Sequence, residues 1–265
     1  MPGHTALPHG PAGTIYEKEK GFDDILRIEM DPTKTKFIKE LKSSEASLIL
    51  QVQYDGKPCV LKVVSVFDTC HIPQTYQVLM YHVQFHNNKD AGYAEDGIRD
   101  LNRARCEIRA YCSLKRFGIC DAGFVPYFYG YSLSLDTEAF APHLNIFLCD
   151  LHPPSSILIE YLPNPAPMNC VTYTKERMAK AIDGIQQVHS ALVEHNDPYP
   201  KNIMIVPGNV ERVVWIDFDV AITYPDSTYI RDRERGWLEM ETSRVEDFGV
   251  KLVCTLTSLQ LTLCH

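Results

Sequence analysis

The segment His195-Asn196-Asp197-Pro198-Tyr199-Pro200-Lys201-Asn202, followed by Ile216-Asp217-Phe218-Asp219, decides how this chain is read. An acid, an amide and a second acid fall on the turns that flank a short predicted hairpin, Asn202–Val206 against Arg212–Ile216. Hard cations take oxygen ligands, so Asn202 and Asp217 suit Mg²⁺ with a phosphate donor. Asp197 is then left over to accept a proton. Asp-Pro also starts ordinary loops, so an Asx turn at Asp197 stands beside the chemical reading.

Upstream, Ser47–Tyr54 and Lys57–Phe67 are β-rich runs separated by Asp55-Gly56, the pair that favours a tight hairpin. The stretch Asp23–Leu41 is helical or looped, with no period to fix it. A helix is expected over Leu101–Phe117, with Asp100 as its cap, Gly118 as its stop, and Leu101, Ala104, Ile108, Tyr111 and Leu114 at helical spacing. Phe124–Leu135, Leu144–Leu148 and Ser156–Leu162 read as strands. Thr174 caps a second helix carrying Met178, Ile182, Ile185, Val188 and Leu192 on one face. Tyr224–Trp237 is charged and irregular. Val245, Phe248, Leu252, Leu256 and Leu259 line a last helix.

Composition bounds the function. The 265 residues are 45% hydrophobic and 23% charged, an ordinary globular balance, with a formal net charge of −8. No basic stripe suggests nucleic acid, and no amphipathic basic run or long apolar run suggests a membrane. No secretory leader is visible at Met1, so an intracellular, cytoplasmic setting is expected. The nine cysteines include no C-x-x-C pair, and Cys106 and Cys112 are too far apart to read as paired zinc ligands. They are expected to be reduced core thiols.

With these elements placed, the chain resembles the protein-kinase-like superfamily. His195-Asn196-Asp197 with Asn202 is similar to its H-R-D-x-x-x-x-N loop, and Ile216-Asp217-Phe218-Asp219 to its D-F-G segment. Val60-Leu61-Lys62-Val63 resembles the V-A-I-K strand. Glu107, in the same helical row as Ala104, Tyr111 and Leu114, is the natural partner of Lys62. Ile159-Glu160-Tyr161-Leu162 resembles the hinge, where backbone groups bind adenine. The matches occur in the family's order over roughly residues 45–260. The closest resemblance is to fungal kinase-like proteins with a V-W-I-D-F-D type segment.

The departures are specific. Lys42-Ser43-Ser44-Glu45-Ala46-Ser47 stands where the glycine-rich loop is expected. The loop arginine is Asn196, which removes the usual partner of an activation-loop phosphate. Asp219 replaces a glycine, either as a second metal-facing carboxylate or as a turn cap. Lys201 either neutralises the transferred phosphoryl group or is a solvated lysine. Glu246-Asp247-Phe248-Gly249 resembles the start of the helix that anchors the catalytic loop. Residues 218–265 are few for a peptide-docking lobe.

The resemblance implies an α+β, two-lobed kinase-like fold. It has a disordered segment at 1–14, an N-lobe at 15–162 with an insertion at 68–97, and a shortened helical C-lobe at 163–265. It implies transfer of the γ-phosphoryl of Mg-ATP to a hydroxyl of a protein or small molecule. Asp197 and Lys62 are the catalytic candidates. Lys62, Glu107, Glu160 and Leu162 are the nucleotide-binding candidates, and Asn202 and Asp217 the metal ligands. A catalytically weak scaffold and a small-molecule kinase are the alternatives.

Overall fold

Asp55 and Gly56 both take positive φ, 48° and 79°, as a two-residue type I′ turn requires. They join β2 (Ser47–Tyr54) to β3 (Lys57–Val64), with Tyr54 opposite Lys57. The computed structural model describes residues 20–44, 47–65, 92–94, 97–148, 150 and 152–262, and side chains as far as residue 252. Segments 1–14 and most of 68–97, Glu45, Cys70-His71 and the side chains of Leu256 and Leu259 lie outside the described residues.

The fold is α+β. A five-stranded antiparallel sheet runs in the order β1-β2-β3-β5-β4, with β1 at Thr35–Ser43, β4 at Phe128–Ser132 and β5 at Ser155–Glu160. Alternation assigns its two faces. Leu48, Leu50, Val52, Cys59, Leu61 and Val63 point one way and form a core with Leu135, Phe140, Leu144 and Phe147. On the other face, Ile157 and Ile159 meet Ile108 and Tyr111 of α1 (Arg103–Arg116). Lys62 lies on this second face, directly opposite Ile157.

α1 is followed by the short helix α2 (Ile119–Ala122), and Gly118, at φ 78°, supplies the left-handed residue that ends α1. After the sheet come β6 (Ala166–Pro167), α3 (Lys175–Ser190), β7 (Val193–Glu194), β8 (Ile203–Val206), β9 (Arg212–Trp215), β10 (Ile222–Thr223) and α4 (Asp232–Thr262). β6, β8 and β9 form one small sheet, and β7 pairs with β10. Thr174 caps α3 by accepting from the Arg177 N–H at 3.1 Å. Trp215 ties β9 to α3, donating its indole N–H to the Ala181 carbonyl at 2.9 Å. A Cβ at Gly184 would stand 2.9 Å from the same indole, so glycine is required there.

The structure corrects several expectations. Asp23–Leu41 contains the first part of β1, hidden in the sequence because Lys36, Lys39, Glu40 and Lys42 break any apolar alternation. Leu144–Leu148 holds a 3₁₀ turn at Asn145–Phe147, not a strand. The cap of α1 is Asn102, whose Oδ1 accepts from Arg105 N at 3.1 Å. Asp100 is instead occupied by the guanidinium groups of Arg105 and Arg109. The irregular segment ends early, since α4 already begins at Asp232. Cys59, Cys106, Cys112 and Cys120 are buried free thiols. Among the described residues, no helix is long and apolar enough to cross a membrane.

Candidate active site

Strand β3 and helix α1 bring a cation and an acid together inside the protein. Lys62 Nζ stands 2.7 Å from Glu107 Oε2, both side chains almost fully buried at 7% and 3% exposure. It also donates to Asp217 Oδ1 at 2.9 Å. Burial works to lower the Lys62 pKa, but the charges of Glu107 and Asp217 outweigh it and hold the amine protonated. For Asp217, burial opposes ionisation, yet Lys62 keeps its carboxyl below the ordinary range. The surplus of negative charge falls on Glu107. Its carboxyl is pushed up to about 7 by burial, which Lys62 offsets only in part, with the charges of Asp217 and Asp219 adding to the rise.

Asp217 has φ 68°, a left-handed conformation that costs a non-glycine residue of order 1 kcal/mol or more. The neighbouring backbone holds it there. Ile216 N–H donates to the Asn202 carbonyl at 3.0 Å. His195 Nε2 contacts the Ile216 carbonyl at 2.9 Å, and the Asp197 N–H reaches His195 Nδ1 at 3.4 Å. A carbonyl only accepts and an amide N–H only donates, so the ring carries its proton on Nε2. His195 is fully buried against Trp215 and Phe218, joining the two acid-bearing turns rather than facing a substrate.

The loop 195–202 is held from below by α4. Glu241 accepts from His195 N at 2.9 Å and Asn196 N at 2.6 Å, and its Oε2 lies 2.8 Å from His189 Nε2. Burial resists the Glu241 charge, but the His189 hydrogen bond and His195 keep its carboxyl lowered. The anchor on this helix is therefore Glu241. Glu246 and Asp247 of the expected anchor motif are exposed. Nothing near Glu241 in the sequence distinguishes it from the other acids of α4.

Asn202 Nδ2 donates to both the Asp197 carbonyl and Asp197 Oδ2, each at 2.9 Å. Both partners are acceptors, so the amide orientation is fixed and Oδ1 is turned away from Asp197. Lys201 Nζ lies 2.9 Å from Asp197 Oδ2, with its side chain 66% exposed. Asp219 neither joins Asp217 nor caps a turn. It pairs with Arg103, at the start of α1, at 2.9 Å.

A cavity of about 590 Å³ opens between the sheet and the β8–β9 hairpin. Val60, Ile159, Leu162 and Met204 line its apolar part, and Lys62, Glu107, Asn202 and Asp217 its polar part. Lys39, Lys42 and Lys201 also line it, whereas Asp197 does not. Tyr161 and Leu162 follow the last ladder pair of β5, Cys59 opposite Glu160, and run along the wall. The Glu160 carboxylate is spent on structure: Arg212 grips it with two bonds of 2.9 and 3.0 Å, and Tyr127 N–H adds a third. Arg212 carries no sequence signal of this role.

Among the described residues, no group of three or more His, Cys, Asp or Glu side chains is arranged as a metal cage. Two side chains with hard oxygen donors, Asn202 and Asp217, line the same cavity. That set fits Mg²⁺, which is bound by few protein oxygens and completed by water and phosphate. The chain matches no protein-family model, and no curated protein is significantly similar to it.

Proposed function

We propose that the chain is an ATP-dependent phosphotransferase with a two-lobed protein-kinase-like fold. The five-stranded sheet with α1 makes the N-lobe, and α3, α4 and the small sheets make a shortened C-lobe. The observation that carries the reading is Lys62, clamped by Glu107 at 2.7 Å and Asp217 at 2.9 Å, on the wall of a cavity apolar at one part and charged at the other. Such a cavity suits a planar base and a polyphosphate tail.

In this reading Lys62 orients phosphate oxygens and Glu107 fixes its amine. Asn202 and Asp217 present oxygen ligands to Mg²⁺, which when bound offsets phosphate charge. Asp197 receives the acceptor hydroxyl's proton as its oxygen bonds to the γ-phosphorus and the bond to the ADP oxygen breaks. Lys201, beside Asp197, supplies positive charge to the transferred group. The acceptor is a hydroxyl of a protein or a small molecule.

Thermal shift and turnover assays with Mg-ATP test the reading. At 100 times its dissociation constant a ligand adds about 2.7 kcal/mol of stability. The shift should require Mg²⁺ and be lost in Asp217→Ala. Asp197→Asn should keep the shift and lower turnover about a thousandfold or more. Unchanged turnover in Asp197→Asn defeats the assignment. A nucleotide-binding module without turnover is the second reading. It is favoured by Asp197, which lies outside the cavity lining with its carboxylate covered by Lys201 and Asn202. A Mg²⁺-dependent shift with no turnover in the unaltered chain would select it.

A further inference from the structure

We infer that Lys42, supported by Lys39, grips the phosphate tail of the nucleotide with side-chain ammonium groups, taking the place of a backbone cradle; this rests on the nucleotide reading above.

The register of β1 carries the inference. Residues three apart in a regular strand point to opposite faces of a sheet. Lys39 and Lys42 do not, because the β1–β2 ladder shifts between Glu40 and Lys42 and leaves Leu41 as an extra residue. Lys39 therefore stands opposite Gln51 and Lys42 opposite Ile49, two positions on one face of β2. Ile49 in turn pairs with Lys62, and Lys62 with Ile157. Lys42, Ile49, Lys62 and Ile157 thus form one row across the cavity-facing side. The bulge at Leu41 is what puts Lys42 into that row.

The charge left over at the rim suits an anion. Lys62 is shared by Glu107 and Asp217, while Arg212 pairs with Glu160 and Lys201 with Asp197. Lys39 and Lys42 line the same cavity, and among the described residues neither has an ion-pair partner. The rim is therefore positive on a chain whose net charge is −8. Neighbouring strands lie about 4.8 Å apart, so the row from Lys42 to Lys62 spans about 10 Å. That span suits a chain of phosphates better than one phosphate.

The test is titration calorimetry with Mg-ATP and with adenosine on the full chain, for the unaltered protein, Lys42→Met, Lys39→Met and Lys42→Arg. Both lysines are exposed on an edge strand, so the variants keep the sheet. Lys42→Met should weaken Mg-ATP about tenfold or more and leave adenosine unchanged, Lys39→Met should have a smaller effect of the same kind, and Lys42→Arg should restore affinity. Equal Mg-ATP affinity in the unaltered protein and Lys42→Met overturns this inference and leaves the nucleotide reading standing. Equal losses for ATP and adenosine also overturn it, because the lysine would then act on structure. If the unaltered protein binds neither ligand, the nucleotide reading fails and this inference falls with it.

Discussion

Two acid-bearing turns contribute residues to the cavity wall, Lys201 and Asn202 from one and Ile216 and Asp217 from the other, and they are held by different means. In the turn 216–219 the side chains themselves are locked: Asp217 to the buried Lys62, and Asp219 to Arg103. In the loop 195–202 the backbone is locked instead, by Glu241 from below, while the Asp197–Lys201 pair sits near solvent. Loss of one partner costs a buried pair far more stability than an exposed pair. The first turn should therefore be sensitive in stability, and the second in chemistry alone.

The strongest way to break this contrast is Lys62→Met. It leaves Glu107 and Asp217 facing each other without a cation, and should cost about 3–5 kcal/mol in urea denaturation as well as turnover. A loss below about 1 kcal/mol would mean that the cluster is not an interlocked unit.

The next effect concerns the floor of the loop. Burial, with the Glu241 charge beside it, pushes the Glu194 carboxyl up to about 7 from an ordinary 4.5. An acid raised in this way holds its proton in the fold after the unfolded chain has released it. Its contribution therefore falls as pH rises from about 4.5 through about 7, by order 1–3 kcal/mol. Glu194→Gln keeps an acceptor for the Tyr224 hydroxyl and should flatten the stability profile across that window. Glu107 moves in the same direction, so part of the slope should remain. An unchanged slope would remove Glu194 from the account.

Smaller effects should sharpen the contrast. Asp219→Asn cuts the tie to Arg103, a half-exposed partner, and should cost under about 1 kcal/mol. Its turnover should fall modestly, through looser placement of Glu107 one helical turn from Arg103. Lys201→Ala should cost least in stability, under about 0.5 kcal/mol, and yet lower turnover about tenfold or more. If stability and turnover fell together in Lys201→Ala, the two turns would not differ as described.

Local chemistry made part of this legible. The Asp55-Gly56 turn, the Thr174 cap and the Gly118 stop each depend on a few adjacent residues, and all three are found. The helical row that places Glu107 beside Ala104 and Tyr111 is a matter of period, and it brings Glu107 to Lys62. What depends on distant partners was hidden. β1 follows no clean alternation, because its register shifts twice. Asp100 and Asn102 both suit a cap, and only the guanidinium groups of Arg105 and Arg109 decide between them. Glu241 and Arg212 act across more than 40 residues of chain, where no spacing rule reaches.

The Arg212–Glu160 fork has a mechanical consequence. It fastens the end of β5 to the first residue of β9, so the strip of chain beside the cavity is a stay, not a pivot. The opposite wall is β1, an edge strand with a neighbour on one side alone. Thus β1 is held in the sheet by β2 alone, whereas the end of β5 is held by β3 and by the Arg212 fork as well.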